Sequence, residues 1–167
     1  MTDSSETSYF LELTKDQKKA FNCFRDWLDE DKTSNPFVLS GFAGSGKTYL
    51  SMAFLRLVEE RNHCWTVVAP THKAVGVLRE SMDKKGLKPT WYPSTIHRLL
   101  RLKLKRKSNI EICEKTEQTT NSLEQLGFVL IDESSMIDSN LLEIVLECAQ
   151  PFRTRLVFVG DPAQLPP

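Results

Sequence analysis

The chain alternates short runs of consecutive apolar residues with longer stretches in which apolar residues recur every three or four positions. The longer stretches predict amphipathic helices and the short runs predict strands. Thr14-Lys15-Asp16-Gln17 reads as a capping box, and behind it Ala20, Phe21, Phe24, Trp27 and Leu28 share one helical face. A strand is predicted at Phe37-Val38-Leu39. A helix then runs from Tyr49 to Arg61, with Leu50, Ala53, Phe54, Leu57 and Val58 inward. Trp65 to Ala69 is a second strand, stopped at Pro70-Thr71-His72-Lys73, and Ala74 to Lys85 is a helix ending near Gly86. Ser94 or Thr95 caps a short helix through Leu100. A third strand, Phe128 to Asp132, precedes a helix from Ser139 to Gln150 whose inward face carries Leu142, Val145, Leu146 and Ala149. Arg155 to Val159 is the fourth strand. Strands apolar on both faces, alternating with amphipathic helices, predict an α/β fold with a mostly parallel sheet covered on both sides.

One segment departs from this alternation. From Leu100 to Lys105 the apolar residues occupy every second position, Lys107-Ser108-Asn109 supplies turn residues, and Ile110 to Cys113 resumes the same period. This predicts a small basic β-hairpin inserted within residues 100–122. A continuous basic helix is the rival, because Leu, Lys and Arg all favour helix. Residues 1–12 are polar and acidic at the start and read as a flexible leader rather than a signal peptide.

Composition narrows the class without naming it. The 22 basic and 22 acidic residues cancel, so net charge argues neither for nor against a polyanionic partner. The 4 cysteines and 3 histidines are scattered, which predicts neither a disulfide framework nor a transition-metal site. No apolar run is long enough to span a bilayer. A cytoplasmic protein is the expectation.

The chemistry concentrates around one loop. The first strand feeds Gly41 to Thr48, a G-x-x-x-x-G-K-T pattern that opens onto a helix. Glycines let successive N–H groups turn inward around phosphate oxygens, and the helix dipole adds positive potential there. A nucleoside triphosphate is the expected ligand, held by Gly41, Ala43, Gly44, Ser45, Gly46, Lys47 and Thr48, with the Thr48 hydroxyl on Mg²⁺. Asp132 and Glu133 follow the third strand. In that position the first carboxylate suits Mg²⁺ and the second suits activation of the attacking water. Gln164, in the loop after the fourth strand, sits where a γ-phosphate or lytic water is reached, although a proline-stiffened exit loop explains it equally well.

Five segments in this order, GFAGSGKT, APTHKA, STIHRLL, VLIDESSM and VGDPAQLPP, resemble the first core domain of a superfamily 1 DNA helicase of the RecD/Dda-like branch. The resemblance covers residues 13–167 and implies a three-layer, RecA-like P-loop NTPase using ATP and Mg²⁺. It assigns Lys47 and Thr48 to phosphates and metal, Asp132 to metal, Glu133 to water activation, and Gln164 to γ-phosphate sensing. Gln17 becomes the adenine reader. Pro70, Thr71 and Lys73 form one grip on single-stranded DNA, and Thr95 and His97 another, with the hairpin in the place of a duplex-splitting pin. Movement from 5′ to 3′ is implied as well. RNA as the track is not excluded by a phosphate grip.

Such helicases need a second RecA-like domain, which the sequence to Pro167 does not contain. The expectation is that this chain alone binds nucleotide without unwinding DNA. A stand-alone P-loop ATPase or kinase, or a non-catalytic nucleotide-binding adaptor, remain as alternatives. Trp65 and Trp91 are expected in the core or a lid rather than as base-stacking platforms.

Overall fold

A computed structural model of the chain describes residues 9–31 and 35–163. Helix α1 spans Lys15–Asp29. It is followed by β1, Phe37–Ser40, α2, Lys47–Glu60, β2, Trp65–Ala69, and α3, His72–Lys85. A two-residue strand β3, Ser94–Thr95, runs directly into the one-turn helix α4, Ile96–Leu99. The hairpin strands are β4, Lys103–Lys107, and β5, Ile110–Glu114. Strand β6, Phe128–Ile131, helix α5, Ser139–Ala149, and strand β7, Arg155–Gly160, complete the order.

Five strands form one parallel sheet in the order β1-β7-β6-β2-β3. Alternate residues of its strands face two separate apolar clusters, as a sheet buried on both sides requires. Leu39, Val67, Ala69, Phe128, Leu130, Val157 and Val159 face α1, α2 and α3. Val68, Val129, Ile131, Leu156 and Phe158 face α4 and α5. This is the expected three-layer α/β architecture. In the first cluster Phe24 is fully buried, its ring stacked on Phe54 at 3.9 Å and set edge-on to Phe37 and Phe128. Trp65 is buried, and Trp91 is half-buried against the second cluster, which matches the core assignment of both.

The capping box at α1 forms as predicted. Thr14 Oγ1 accepts from the Gln17 N–H at 3.3 Å, and Gln17 Oε1 accepts from the Thr14 N–H at 3.0 Å. Of the predicted leader, residues 1–8 lie outside the described residues. Tyr9 and Phe10 belong to the domain instead, because their rings rest on Phe21 at 6.0 and 5.5 Å.

The segment after α4 is a hairpin and not the rival helix. Ser108 and Asn109 both take left-handed backbone, with φ of 51° and 66°, which makes the two-residue turn that matches strand twist. The hairpin is narrower than the predicted span. Leu100 is buried beside α4, Arg101 turns the chain with φ 54°, and the strands start at Lys103. After Glu114 the chain returns to the body, where Thr119, Ser122, Leu123 and Leu126 are buried.

The inward face of α5 is rotated from the one expected, with Val145 and Ala149 buried as predicted but Leu142 and Leu146 exposed. Leu141, Ile144, Val145, Cys148 and Ala149 are buried, whereas Leu142 and Leu146 are 37% and 39% exposed. The helix is apolar around more than half its girth, so periodicity allowed two phases and the sheet selected one. Leu142 and Leu146 instead line an open groove of about 360 Å³ with Val38 and Phe158, beside the edge strand β1.

Candidate functional site

All five parallel strands point the same way, so the segments following them meet along one edge of the sheet. The pairing register fixes this: Ser40 lies beside Gly160, Ile131 beside Phe158 and Val68, and Ala69 beside Thr95. The loop after β1, the acidic turn after β6 and the first turns of α3 and α4 therefore converge, which is where ligands bind in open α/β sheets.

The loop after β1 is shaped for close backbone approach. Gly44 and Gly46 have φ of 75° and 82°, values that side chains disfavour. A Cβ at Gly41 would stand 2.7 Å from Ser45 Oγ, so the serine side chain would have to turn aside. Phe42 to Ser45 are exposed. Lys47 folds back over the loop, its ammonium donating to the carbonyls of Gly41 at 2.6 Å and Phe42 at 2.9 Å. Thr48 follows on the first turn of α2 with its side chain exposed.

Across from the loop, the Asp132 N–H extends the β2–β6 ladder by donating to the Val68 carbonyl at 2.9 Å. Burial pushes the Asp132 carboxyl above its ordinary pKa, against the opposing pulls of the Glu133 N–H and the Lys47 ammonium. That N–H donates to Asp132 Oδ1 at 2.9 Å. Glu133 itself has left-handed backbone, φ 51° and ψ 37°, a conformation that costs a non-glycine residue about 1–2 kcal/mol. Such strain aims a side chain away from the strand direction and clusters at functional sites. Behind the turn stands Gly160, where an added Cβ would meet Ser134 Oγ at 2.7 Å and the Ser135 backbone nitrogen at 3.3 Å. Nothing in the sequence pattern signals this contact, or the left-handed glutamate.

The donor set suits Mg²⁺ better than a transition metal. Mg²⁺ takes one or two protein oxygens and completes its shell with water and phosphate. A desolvated carboxyl at Asp132 and an exposed hydroxyl at Thr48 fit that pattern. Among the described residues no group of three or more His, Cys, Asp and Glu is gathered as a metal cage.

Gln17 reaches this site through space. Its Nε2 lies 3.5 Å from the Gly46 carbonyl oxygen, bringing the start of α1 against the loop. The residues expected to meet a nucleic acid lie further along the same edge. Pro70 and Thr71 are half-buried and Lys73 is exposed on the first turn of α3, with Thr71 Oγ1 capping that helix by accepting from the Ala74 N–H at 3.2 Å. Thr95 is buried, and its hydroxyl caps α4 by accepting from the Arg98 N–H at 3.3 Å. His97 is half-buried and turned toward the hairpin, its Nε2 3.1 Å from Cys113 Sγ. Burial pushes that thiol's pKa up. Gln164 lies outside the described residues. The preceding Asp161 is buried and accepts from the Ala163 N–H at 2.8 Å.

The hairpin stands clear of the core, with Leu104 60% and Ile110 65% exposed. Its basic character is partly offset, because Lys105 pairs with Glu114 at 2.5 Å and Arg106 with Glu111 at 3.3 Å across the strands. No helix among the described residues is long and apolar enough to cross a membrane.

Comparison with known proteins places this geometry. The AAA domain family matches residues 26–167. An uncharacterised protein of Acanthamoeba polyphaga mimivirus is 32% identical over 92% of this chain and 33% of its own length. The RecBCD enzyme subunit RecD of Haemophilus influenzae is 29% identical over 78% of this chain and 22% of its own length. The chain thus spans a third or less of these relatives. Among solved structures, Bacteroides sp Pif1 in complex with ADP-AlF4 superposes with a TM-score of 0.61 at 23% identity, covering 93% of this chain and 33% of that one. Bacteroides Pif1 bound to ssDNA superposes with a TM-score of 0.59 at 23% identity, over the same shares of the two chains. With its glycine loop, acidic turn and parallel sheet in the order found, the chain belongs to the AAA domain family, and it is similar in sequence to RecD subunits and in fold to Pif1.

Proposed function

We propose that this domain binds ATP with Mg²⁺ on the loop from Gly41 to Thr48 and that, within a longer protein, it couples hydrolysis to 5′-to-3′ movement along single-stranded DNA. One observation carries the reading. The phosphate-type loop, the Asp132-Glu133 turn and the capped N-termini of α3 and α4 occupy a single edge of one parallel sheet. Nucleotide chemistry and a strand grip are thereby adjacent, on rigid elements.

In this reading Lys47 leaves the Gly41 and Phe42 carbonyls for the β- and γ-phosphates. Thr48 and Asp132 hold Mg²⁺, which neutralises phosphate charge when bound. Glu133, turned by its left-handed backbone, orients and deprotonates the attacking water. Gln164 senses the γ-phosphate and Gln17 reads the base. Lys73, Thr71 and the backbone beyond Pro70 contact the phosphates of the strand, which supply affinity without sequence preference. Thr95 acts there mainly by holding α4, while His97 meets the strand from the base of the hairpin. The RecD relatives and the Pif1 neighbour bound to ssDNA support this assignment of partner.

The test is calorimetric titration of Mg-ATP into this chain and its Lys47→Ala variant, followed by ATP turnover with and without single-stranded DNA in the full-length protein. Binding lost in Lys47→Ala, and turnover stimulated by DNA and lost in Glu133→Gln, are expected. Undiminished binding by Lys47→Ala refutes the site. Turnover indifferent to DNA refutes the coupling.

A further inference from the structure

Gln17 touches more than a base could reach. Its amide nitrogen lies 3.5 Å from the Gly46 carbonyl oxygen, and a Cβ built on Gly46 would come within 2.5 Å of that same nitrogen. The end of the amide therefore points directly at the last glycine of the loop. Gly46 is the N-cap of α2 and has no side-chain cap of its own. Its carbonyl also accepts the first backbone bond of that helix, from the Leu50 N–H at 3.0 Å. The other end of the Gln17 amide is occupied too, with Oε1 accepting from the Thr14 N–H at 3.0 Å. One planar group thus bridges the N-terminus of α1 and the point where the loop becomes α2, 29 residues away in sequence.

We infer that Gln17 is a positioning residue for the phosphate loop, holding the Gly46 peptide so that the amides around it face the phosphates whether or not a base is present. The inference rests on the nucleotide reading above and extends it, since a base reader acts only on ligands that carry a base. Gly46 has left-handed backbone, with φ of 82°, and no side chain caps it from within α2. Without Gln17 the Gly46 carbonyl keeps only its bond from the Leu50 N–H, and ordering the looser peptide on binding costs affinity.

Inorganic tripolyphosphate with Mg²⁺ isolates this effect, because it offers phosphates and no base. Its affinity, and that of Mg-ATP, are measured calorimetrically on this chain, on Gln17→Met and on Thr14→Ala. Gln17→Met keeps the side chain's bulk and loses both bridges. Thr14→Ala weakens the α1 cap and leaves the Gly46 contact. The expected result is tripolyphosphate binding weakened roughly two- to tenfold in Gln17→Met, the effect of one hydrogen bond, and unchanged in Thr14→Ala, although both melt earlier. Loss confined to Mg-ATP in Gln17→Met overturns the inference and leaves Gln17 as a base reader. Equal loss of tripolyphosphate in both variants also overturns it, assigning the effect to the helix cap. If the unsubstituted chain binds neither ligand, the nucleotide reading falls and this inference with it. Gln17→Ala makes the same distinction should Gln17→Met fail to fold.

Discussion

Replacing Glu133 by glycine is expected to stabilise the domain while removing its proposed catalytic carboxylate. The backbone at 133 is left-handed, with φ 51° and ψ 37°. A residue with a Cβ spends about 1–2 kcal/mol there. Glycine removes that cost but gives back about 0.4–1 kcal/mol through the greater freedom of the unfolded chain. The net advantage of Glu133→Gly over Glu133→Ala is therefore about 0.5–1 kcal/mol. The two variants lose the same carboxylate, so the difference between them isolates the backbone. The Glu133 N–H bond to Asp132 and the Met136 N–H bond to the Glu133 carbonyl, at 2.9 and 3.0 Å, are main-chain donations that both variants keep. For a domain of this size about 2–4 °C accompanies each kcal/mol, so Glu133→Gly should melt about 1–4 °C above Glu133→Ala. Thermal unfolding followed by circular dichroism, without nucleotide, reads this directly. An alanine variant that melts at or above the glycine variant refutes the claim that the acidic turn is strained.

Other outcomes follow from the same geometry. Gly160→Ala should destabilise by about 1–3 kcal/mol, the usual cost of overpacking, and reduce turnover more than Mg-ATP affinity, because its Cβ displaces Ser134 behind the glutamate; steady-state kinetics on the full-length protein separates the two. Phe24→Ala should cost about 3–5 kcal/mol in urea titration, since a ring with no exposure, stacked between two helices, leaves a cavity. Asp29→Asn should lower stability by less than about 1 kcal/mol, as the pair with Arg61 is partly exposed. Arg61 holds the Asp29 carboxyl below its ordinary pKa, so that contribution is full above the unfolded value near about 3.9 and fades as pH falls through the lower folded value; melting curves across that window check the sign.

What could be read from the sequence divides by how local its cause is. The capping box at Thr14 and Gln17, the glycine loop and the hairpin turn at Ser108-Asn109 depend on residues a few positions apart, and all appear where the pattern put them. The face of α5 was ambiguous because Leu141, Leu142, Ile144, Val145 and Leu146 supply two apolar stripes, and only the sheet chooses between them. Tyr9 and Phe10 follow a polar stretch and are drawn in by Phe21, 11 or 12 residues further on, which no local rule reports. Of the site, residue types and order were legible through the loop and the acidic pair. The bridge from Gln17 to Gly46 and the backing of Ser134 by Gly160 are contacts between distant segments, and a glutamate carries no mark of left-handed backbone.

The lysine lying on its own loop alters how its removal should be interpreted. The Lys47 ammonium has two carbonyl partners within its own loop, at 2.6 and 2.9 Å. On the proposed function, phosphate binding is then a substitution, with old partners surrendered as new ones are gained. The affinity lost in Lys47→Ala reports only the difference between those partnerships and understates the attraction between ammonium and phosphate. The same arrangement holds the charge in place beforehand, so little side-chain freedom is left to lose when the ligand arrives.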